Sequence, residues 1–478
     1  MKDRRVLITC LVLLLVACLG IGCASLIGVG INFYNSSFSD TAFVSEETSD
    51  LQEDPQLNPE MGSEYSETPY SSHDKSPNQP LAVTAIDPES ARQMDEIQMQ
   101  VIMERGLKPT GSIERKLYSH EDFREKIIQD FFGDYSPEDA RIEALTFTSF
   151  GLLQPDYDLY TLYTDLYSEQ IGGFFDTETK EMVVVQDEGF GGVERFVYAH
   201  EYTHVLQDQN FDLENGLTFN DEDCEAETER CSAILALIEG DATITQSRWF
   251  FSNATTEDQA ELLQLMVEET KMPVFNSAPE FITLGLTFPY EYGYHFVDHL
   301  YNIGGWGTID RAYQIPPLST EQIMHPDRYP DDKPILVSLP ALEEILGTGW
   351  EELDRGVMGE WSTYLILAKG LDENARIDEN QAKSAVQGWG GDAYVVYNKS
   401  DTGETVMIMH SVWDSPSDAD EFAKSFRDYA DGRFGSSTSN TWQGLDGYHI
   451  FIHETDSTTW ILAPDPNIAT TVWQTLSP

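Results

Sequence analysis

The segment His200-Glu201-Tyr202-Thr203-His204 constrains the fold of this chain more than any other, because its side chains can act together only on a helix. Residues four apart on a helix lie on one face, with their Cβ atoms ~5–6 Å apart. His200 and His204 could therefore bind one metal ion, and Glu201 could take a proton from water beside it. Residues 193–209 contain no proline or glycine and carry apolar residues at helical spacing, which predicts a helix. The alternative is a solvated amphipathic helix with two incidental histidines.

A third metal ligand is expected from a second helix, because catalytic zinc usually has three protein ligands and a water molecule. Glu229 and its neighbouring glutamates lie in a polar run and are predicted to be exposed. Glu239 instead ends the apolar stretch 233–238 and precedes Gly240, which lets a neighbouring helix approach closely. A carboxylate on a buried face is costly unless it is paired or bound to metal. We predict Glu239 as the third ligand, with a buried ion pair as the alternative.

Two segments resemble a known family. The pentapeptide at 200–204, followed by Leu-Ile-Glu-Gly-Asp-Ala at 237–242, resembles the gluzincin metallopeptidases, whose zinc site is HExxH…E. Pro289-Tyr290-Glu291-Tyr292-Gly293 is similar to the Pro-Tyr-Glu-x-Gly segment of aminopeptidase-N-like enzymes. The resemblance implies that Zn²⁺ is held by two histidines and a glutamate, and that the Tyr290 hydroxyl stabilises the oxyanion. An ordinary packed aromatic residue is the alternative role for Tyr290.

The resemblance covers roughly residues 190–310, and it departs from the family in two places. The chain has no Gly-x-Met-Glu-Asn segment, which the aminopeptidases use to hold a free amino group. This difference favours an endopeptidase over an exopeptidase. Thr243 stands where thermolysin-like enzymes have an aspartate. Asp241 and Asp208 are weaker candidates for residues that orient the ligating imidazoles. His295, His299 and His325 are alternative electrophiles, each more consistent with a structural role.

The N-terminus predicts an exported, membrane-tethered protein. Three basic residues precede the uncharged apolar run from Val6 to Ile31, which is long enough to span a bilayer. Basic residues before such a run predict a cytoplasmic N-terminus and an extracellular body. We expect a single uncleaved anchor over residues 1–33. Leu15-Val16-Ala17-Cys18 resembles a lipoprotein cleavage box, so a lipid anchor is the alternative, and a cleaved signal peptide is a third.

Charge and cysteine content narrow the possible partners. The chain carries 83 acidic and 28 basic residues, which excludes a nucleic-acid partner because phosphates require basic patches. We expect a peptide or protein substrate instead.

Cys224 and Cys231 are the only cysteines beyond the N-terminal segment, and an exported compartment permits a disulfide between them. One unbroken helix would hold them too far apart, so a disulfide requires a helix that begins after Cys224; two free thiols are the alternative.

The fold class that the pattern predicts is α+β. Residues 34–88 are rich in polar residues and proline and are expected to form a disordered acidic linker. Residues 89–383 are expected to form a mostly helical, gluzincin-like peptidase domain with a small sheet, which includes a hairpin at 170–185 and a loop at 315–336. Residues 384–478 contain two ββα units and predict a small C-terminal α+β domain.

The sequence therefore predicts a membrane-tethered zinc metallopeptidase. Its ligands would be His200, His204 and Glu239, with Glu201 as the general base and Tyr290 beside the oxyanion. The alternative is a surface-binding protein that keeps the same scaffold without turnover. The carboxylate of Glu201 argues against this alternative, because a site without catalytic activity has no chemical need for a general base. A purely structural zinc site would prefer a fourth ligand, which the sequence does not indicate.

Overall fold

The computed structural model describes residues 85–476, apart from 131, 133–134, 171, 187–188, 269–271 and 438. The predicted anchor (1–33) and all but the last few residues of the predicted linker (34–88) lie outside the described residues. No helix in the described part of the chain is both long and apolar enough to cross a membrane. The predicted α+β class is confirmed, since the described chain combines many helices with two sheets.

The helices are numbered here in chain order over the described residues. They are α1 (Pro88–Arg105), α2 (His120–Asp130), α3 (Pro137–Ser149), α4 (Leu159–Gln170), α5 (Gly192–Phe211), α6 (Asp221–Ala226), α7 (Thr228–Asn253), α8 (Thr256–Glu268), α9 (Pro273–Ser277), α10 (Glu280–Gly304), α11 (Trp306–Ala312), α12 (Thr320–Met324), α13 (Glu343–Leu346), α14 (Gly359–Lys369), α15 (Glu379–Val386), α16 (Pro416–Phe434) and α17 (Pro466–Leu476). The short helix α12 lies inside the segment 315–336, which the sequence predicts as loop.

The strands form two separate sheets. They are β1 (Glu114–Tyr118), β2 (Gly173–Phe175), β3 (Glu181–Val185), β4 (Trp350–Gly356), β5 (Trp389–Lys399), β6 (Glu404–Trp413), β7 (Thr441–Gln443), β8 (Tyr448–His453) and β9 (Ser457–Ala463). The first sheet has the order β1-β3-β2, and its antiparallel β2–β3 pair is the predicted hairpin. The second sheet is antiparallel, with the order β4-β5-β6-β9-β8-β7.

Three long helices form the centre of the helical part. Helix α5 begins where the Glu194 carboxylate accepts the backbone N–H of Gly191, and it ends at Asp212, which has a positive φ of 52°. Helix α7 packs against α5 and against α10. Between α7 and α10 the backbones touch, because a Cβ added to Gly240 would lie 2.2 Å from the carbonyl oxygen of Gly293. The close helix approach predicted from Gly240 is therefore confirmed.

The C-terminal part contains the two predicted ββα units, β5-β6-α16 and β8-β9-α17. Strand β4 lies within residues 89–383, which the sequence predicts to be mostly helical, and it pairs with β5 as the edge strand of the second sheet. The two parts of the chain share one core. The carbonyl oxygen of Phe150 accepts hydrogen bonds from the Tyr429 hydroxyl at 3.3 Å and from Arg433 at 3.1 Å. The ring of Phe150 packs edge-on against Trp460.

Candidate metal centre

Helix α5 carries three of the predicted site residues on its buried face. His200, Glu201 and His204 are each no more than 3% exposed, although the sequence around them is rich in polar residues. Polar side chains are buried in folded proteins when they are paired or bind a ligand. The alternative of a solvated amphipathic helix is therefore wrong for this face of α5.

Helix α7 places the fourth residue against the two imidazoles. The Glu239 side chain is fully buried, and its Oε2 lies 3.0 Å from Nε2 of His200 and 3.6 Å from Nε2 of His204. One ligand atom from each of the three residues lies within 4.8 Å of the other two. Two imidazole nitrogens and one carboxylate oxygen are a donor set that binds zinc in hydrolytic sites.

Two atoms of this cluster are buried without a hydrogen-bond partner among the described residues. They are Nε2 of His204 and Oε1 of Glu239. An unsatisfied buried polar atom costs free energy of about 1–3 kcal/mol, and a bound cation would remove that cost. Burial lowers the pKa of His204, but the Glu239 carboxylate outweighs burial and raises that pKa to about 9. The site thus attracts positive charge, as the donor set requires of a metal site.

Two glutamines orient the imidazoles. The Gln207 amide nitrogen donates to the Ile238 carbonyl at 2.9 Å, so its oxygen faces Nδ1 of His204 at 2.8 Å. The Gln246 nitrogen donates in the same way to a backbone carbonyl of α5, and its oxygen lies 3.3 Å from Nδ1 of His200. An oxygen at that position requires each Nδ1 to carry the proton. In the neutral form of each imidazole, Nε2 then carries the lone pair that can bind a metal ion.

A buried charge network lies behind Gln207. Its amide nitrogen also donates to Oδ2 of Asp241 at 3.2 Å. Asp241 accepts a hydrogen bond from Nε of Arg105 at 2.7 Å and from the Tyr313 hydroxyl at 2.9 Å. Arg105 and Asp241 are both fully buried, so their opposite charges are paired inside the protein. Asp241 therefore reaches His204 only through Gln207.

Tyr290 lies beside the cluster on α10. It is 4% exposed, and its ring centre is 6.3 Å from that of His200. The contact between Gly240 and Gly293 brings α10 close enough for this arrangement. The structure therefore brings all five predicted site residues to one buried place.

The weaker candidates have other partners. Asp208 pairs with Lys180 at 2.7 Å, and His325 pairs with Glu360 at 2.8 Å. His299 lies 3.5 Å from Asp327. Gln207, Gln246 and Arg105 are functional positions that the sequence pattern does not predict. Gln246 lies two helical turns after Glu239 on α7, a spacing that could have identified it, whereas the role of Arg105 depends on a contact between distant segments.

The edge strand β2 lies directly over α5. A Cβ added to Gly173 would be 2.9 Å from Val197 and 3.3 Å from Cγ of Glu201, so only glycine fits at this contact. Within the described residues, β2 pairs with β3 on one side alone. All three residues of β2 are buried.

Comparisons with known proteins address the C-terminal part. A family model described as a domain of unknown function (DUF8575) matches residues 346–473. This match covers the segment from the end of α13 into α17, including the second sheet, and leaves out the helices that carry the metal cluster. No curated protein and no solved structure matches the chain.

The cysteines are bridged. Cys224 and Cys231 form a disulfide, with their Cα atoms 5.5 Å apart. The helix breaks at Glu227, between α6 and α7, and this break brings the two cysteines together. The disulfide therefore forms under the predicted condition, because α7 begins at Thr228, after Cys224, and residues 221–226 form a separate short helix.

Proposed function

We infer that this protein is a metal-dependent peptidase, with His200, His204 and Glu239 as ligands of a divalent cation such as Zn²⁺. The observation that carries this inference is the buried cluster of three ligand atoms within 4.8 Å of one another, next to Glu201 on the same helix. When bound, the cation would polarise the scissile carbonyl and make a water molecule more acidic. The resemblance to gluzincins supports the same reading.

The remaining steps belong to side chains of this chain. Glu201 follows the first ligand on α5, where it can accept a proton from the attacking water and pass it to the leaving amine. Tyr290, whose ring centre lies 6.3 Å from that of His200, can donate its hydroxyl proton in a hydrogen bond to the oxyanion as charge develops.

We propose a peptide substrate because the resemblance to gluzincins implies one. We further propose that the peptidase acts outside the cell, tethered through residues 1–33, as the N-terminal pattern predicts.

The test is Glu201→Gln, which removes the base and keeps the shape of the side chain. We expect cleavage of a broad peptide library to fall at least ~100-fold, because general-base catalysis contributes about 10²–10⁴-fold. Metal content, measured by mass spectrometry, should not change. The exposed Glu257→Gln serves as the matched control and should cleave normally.

The same assay separates the alternative function. If the unaltered protein binds metal but cleaves no member of the library, the scaffold is a binding protein and the peptidase proposal is wrong. If the unaltered protein binds no divalent cation, the metal cluster itself is misassigned.

A further inference from the structure

A cavity of about 240 Å³ lies away from the metal cluster, where α3, α4, α7, α10, α14 and β4 meet. A cavity of about 150 Å³ is large enough for benzene, so this one can hold a substituted ring or a branched aliphatic group. Its walls are mostly apolar, and several of them are aromatic: Phe147, Tyr163, Phe281, Phe288, Trp361 and Tyr394.

The charged groups of this cavity all have the same sign. Glu143, Glu229, Asp354 and Asp139 line it, whereas none of the described lining residues is Lys, Arg or His. Glu143 accepts hydrogen bonds from the hydroxyls of two tyrosines, at 2.6 and 2.9 Å. Such a lining favours a positively charged guest and disfavours an anion.

Glu229 lines the cavity, and only one of its two carboxyl oxygens accepts hydrogen bonds from the described residues. The side chain is 8% exposed, and its Oε1 accepts the backbone N–H of Thr320 at 2.6 Å and the hydroxyl of the same residue at 2.8 Å. No donor among the described residues reaches Oε2. Burial, the largest influence, raises the pKa of Glu229 to about 8, so at neutral pH the carboxyl would give up its proton when a bound cation stabilises its charged form.

We propose that this cavity binds an organic cation, an ammonium or guanidinium group attached to an apolar body. The Oε2 atom of Glu229 would accept a charge-assisted hydrogen bond from the cation, and the aromatic walls would attract it through their π faces. The cation could be a basic side chain of a peptide or a free small amine. Pro289 lines the cavity and precedes Tyr290, so helix α10 contacts both this site and the metal cluster.

This proposal does not depend on peptidase activity, because it is tested by binding to the unmodified protein. The probes are 2-phenylethylamine, which is a cation at pH 7, and 2-phenylethanol, which has nearly the same shape and no charge. Isothermal titration calorimetry should show that the amine binds at least ~10-fold more tightly than the alcohol, since hydrogen bonds to charged groups are the stronger ones.

Two variants locate the site. Glu229→Gln removes the ionisable carboxyl group and should lower the affinity for the amine ~10-fold or more. The affinity for the alcohol should fall much less. Gly285→Leu fills the cavity and should abolish binding of both probes, because a Cβ at Gly285 meets no atom within 4 Å and the side chain can be accommodated. Glu257→Gln, on the exposed surface, should bind like the unaltered protein.

Two results would overturn the proposal: equal affinity for amine and alcohol, or amine binding that survives Gly285→Leu in a protein that is still folded. A blocked pentapeptide with one central lysine then identifies the source of the cation. If it displaces 2-phenylethylamine and its norleucine counterpart does not, the guest is a basic side chain. If neither peptide displaces the amine, the guest is a free small molecule. Both of these displacement results support a cation site.

Discussion

At the scale of single residues, the metal cluster depends on side chains that never touch the metal. Gln207 fixes the tautomer of His204 through its carbonyl oxygen, and its amide nitrogen is held by the Ile238 carbonyl and by Asp241. Asp241 is in turn fixed by the buried Arg105. The orientation of the His204 imidazole therefore depends on a series of three contacts that ends at Arg105 on helix α1.

Replacing Gln207 with leucine should loosen this arrangement while the three ligands remain. The imidazole of His204 would lose its acceptor at Nδ1, and both tautomers would become accessible. Loss of such an outer contact weakens metal binding ~10–100-fold. Competition with a zinc chelator of known affinity measures this change.

The matched control is Gln209→Leu on the same helix. Gln209 contacts the backbone at Thr110 and Gly111 and no imidazole. Its replacement should leave zinc affinity within about twofold. Equal weakening in both variants would show that Gln207 acts through general stability and does not orient His204.

The site could be predicted from the sequence where its chemistry is local. His200, Glu201 and His204 are adjacent on one helix, and Glu239 stands out because it ends an apolar stretch. The burial of Glu229 could not be predicted from its neighbours in the sequence. Glu229 was predicted to be exposed because its sequence neighbours are polar, yet it is buried against Thr320, 91 positions away. Only the folded chain reveals that contact.

At the scale of elements, the distance between α7 and α10 decides whether the cluster can form. The two backbones touch at Gly240 and Gly293, where any Cβ would collide with a carbonyl oxygen at 2.2 Å. The residue before Gly240 is the ligand Glu239, and Tyr290 lies one helical turn before Gly293. A change in this contact therefore moves a ligand and the predicted oxyanion donor together.

We expect Gly240→Ala to be destabilising and to weaken metal binding. The added methyl group forces the helices apart, and overpacking of this kind costs about 1–3 kcal/mol in the free energy of unfolding. Urea unfolding followed by circular dichroism, together with metal content, measures both effects.

Gly285→Ala on α10 is the control for this prediction. A Cβ at Gly285 meets nothing within 4 Å, so only the helix propensity changes. This variant should be unaffected or up to ~1 kcal/mol more stable. If the two alanine variants behave alike, close packing at Gly240 is not what holds the helices together.

Element types were predictable where the pattern was strong, as in the hairpin at 170–185 and the two ββα units. Strand β4 was missed because its sequence, Trp-Glu-Glu-Leu-Asp-Arg-Gly, lacks the alternation expected of a half-buried strand. It is an edge strand with a register shift between Glu352 and Asp354, and pairing with β5 decides its conformation. Tertiary pairing of this kind overrides local preference.

At the scale of the whole molecule, buried acids make stability depend on pH. Burial, the largest influence in each case, raises the pKa of Asp392 to about 6, of Glu143 to about 7 and of Glu229 to about 8. These groups hold protons in the folded state at pH values where the unfolded chain, with pKa values of ~4, has released them. The folded state then binds more protons, so its stability falls as pH rises.

The expected result is a urea midpoint that decreases steadily from pH 5 to pH 8. The urea midpoint of the Glu229→Gln variant should decrease less over this pH range, because the substitution removes one of the titrating groups. The net charge of −55 also disfavours the folded state at high pH, so the series is repeated in ~1 M salt, where charges are screened beyond about 3 Å. A midpoint that is constant or increases with pH in high salt would contradict the role of the buried acids.

The core around Phe150 has a practical consequence for anyone who handles this protein. Its ring packs on Trp460 and its carbonyl holds Tyr429 and Arg433, while β4 pairs with β5 across the same junction. A protease that nicks the chain between α14 and α15 would sever the backbone without freeing either piece. The two fragments should elute together from a sizing column and separate only in denaturant.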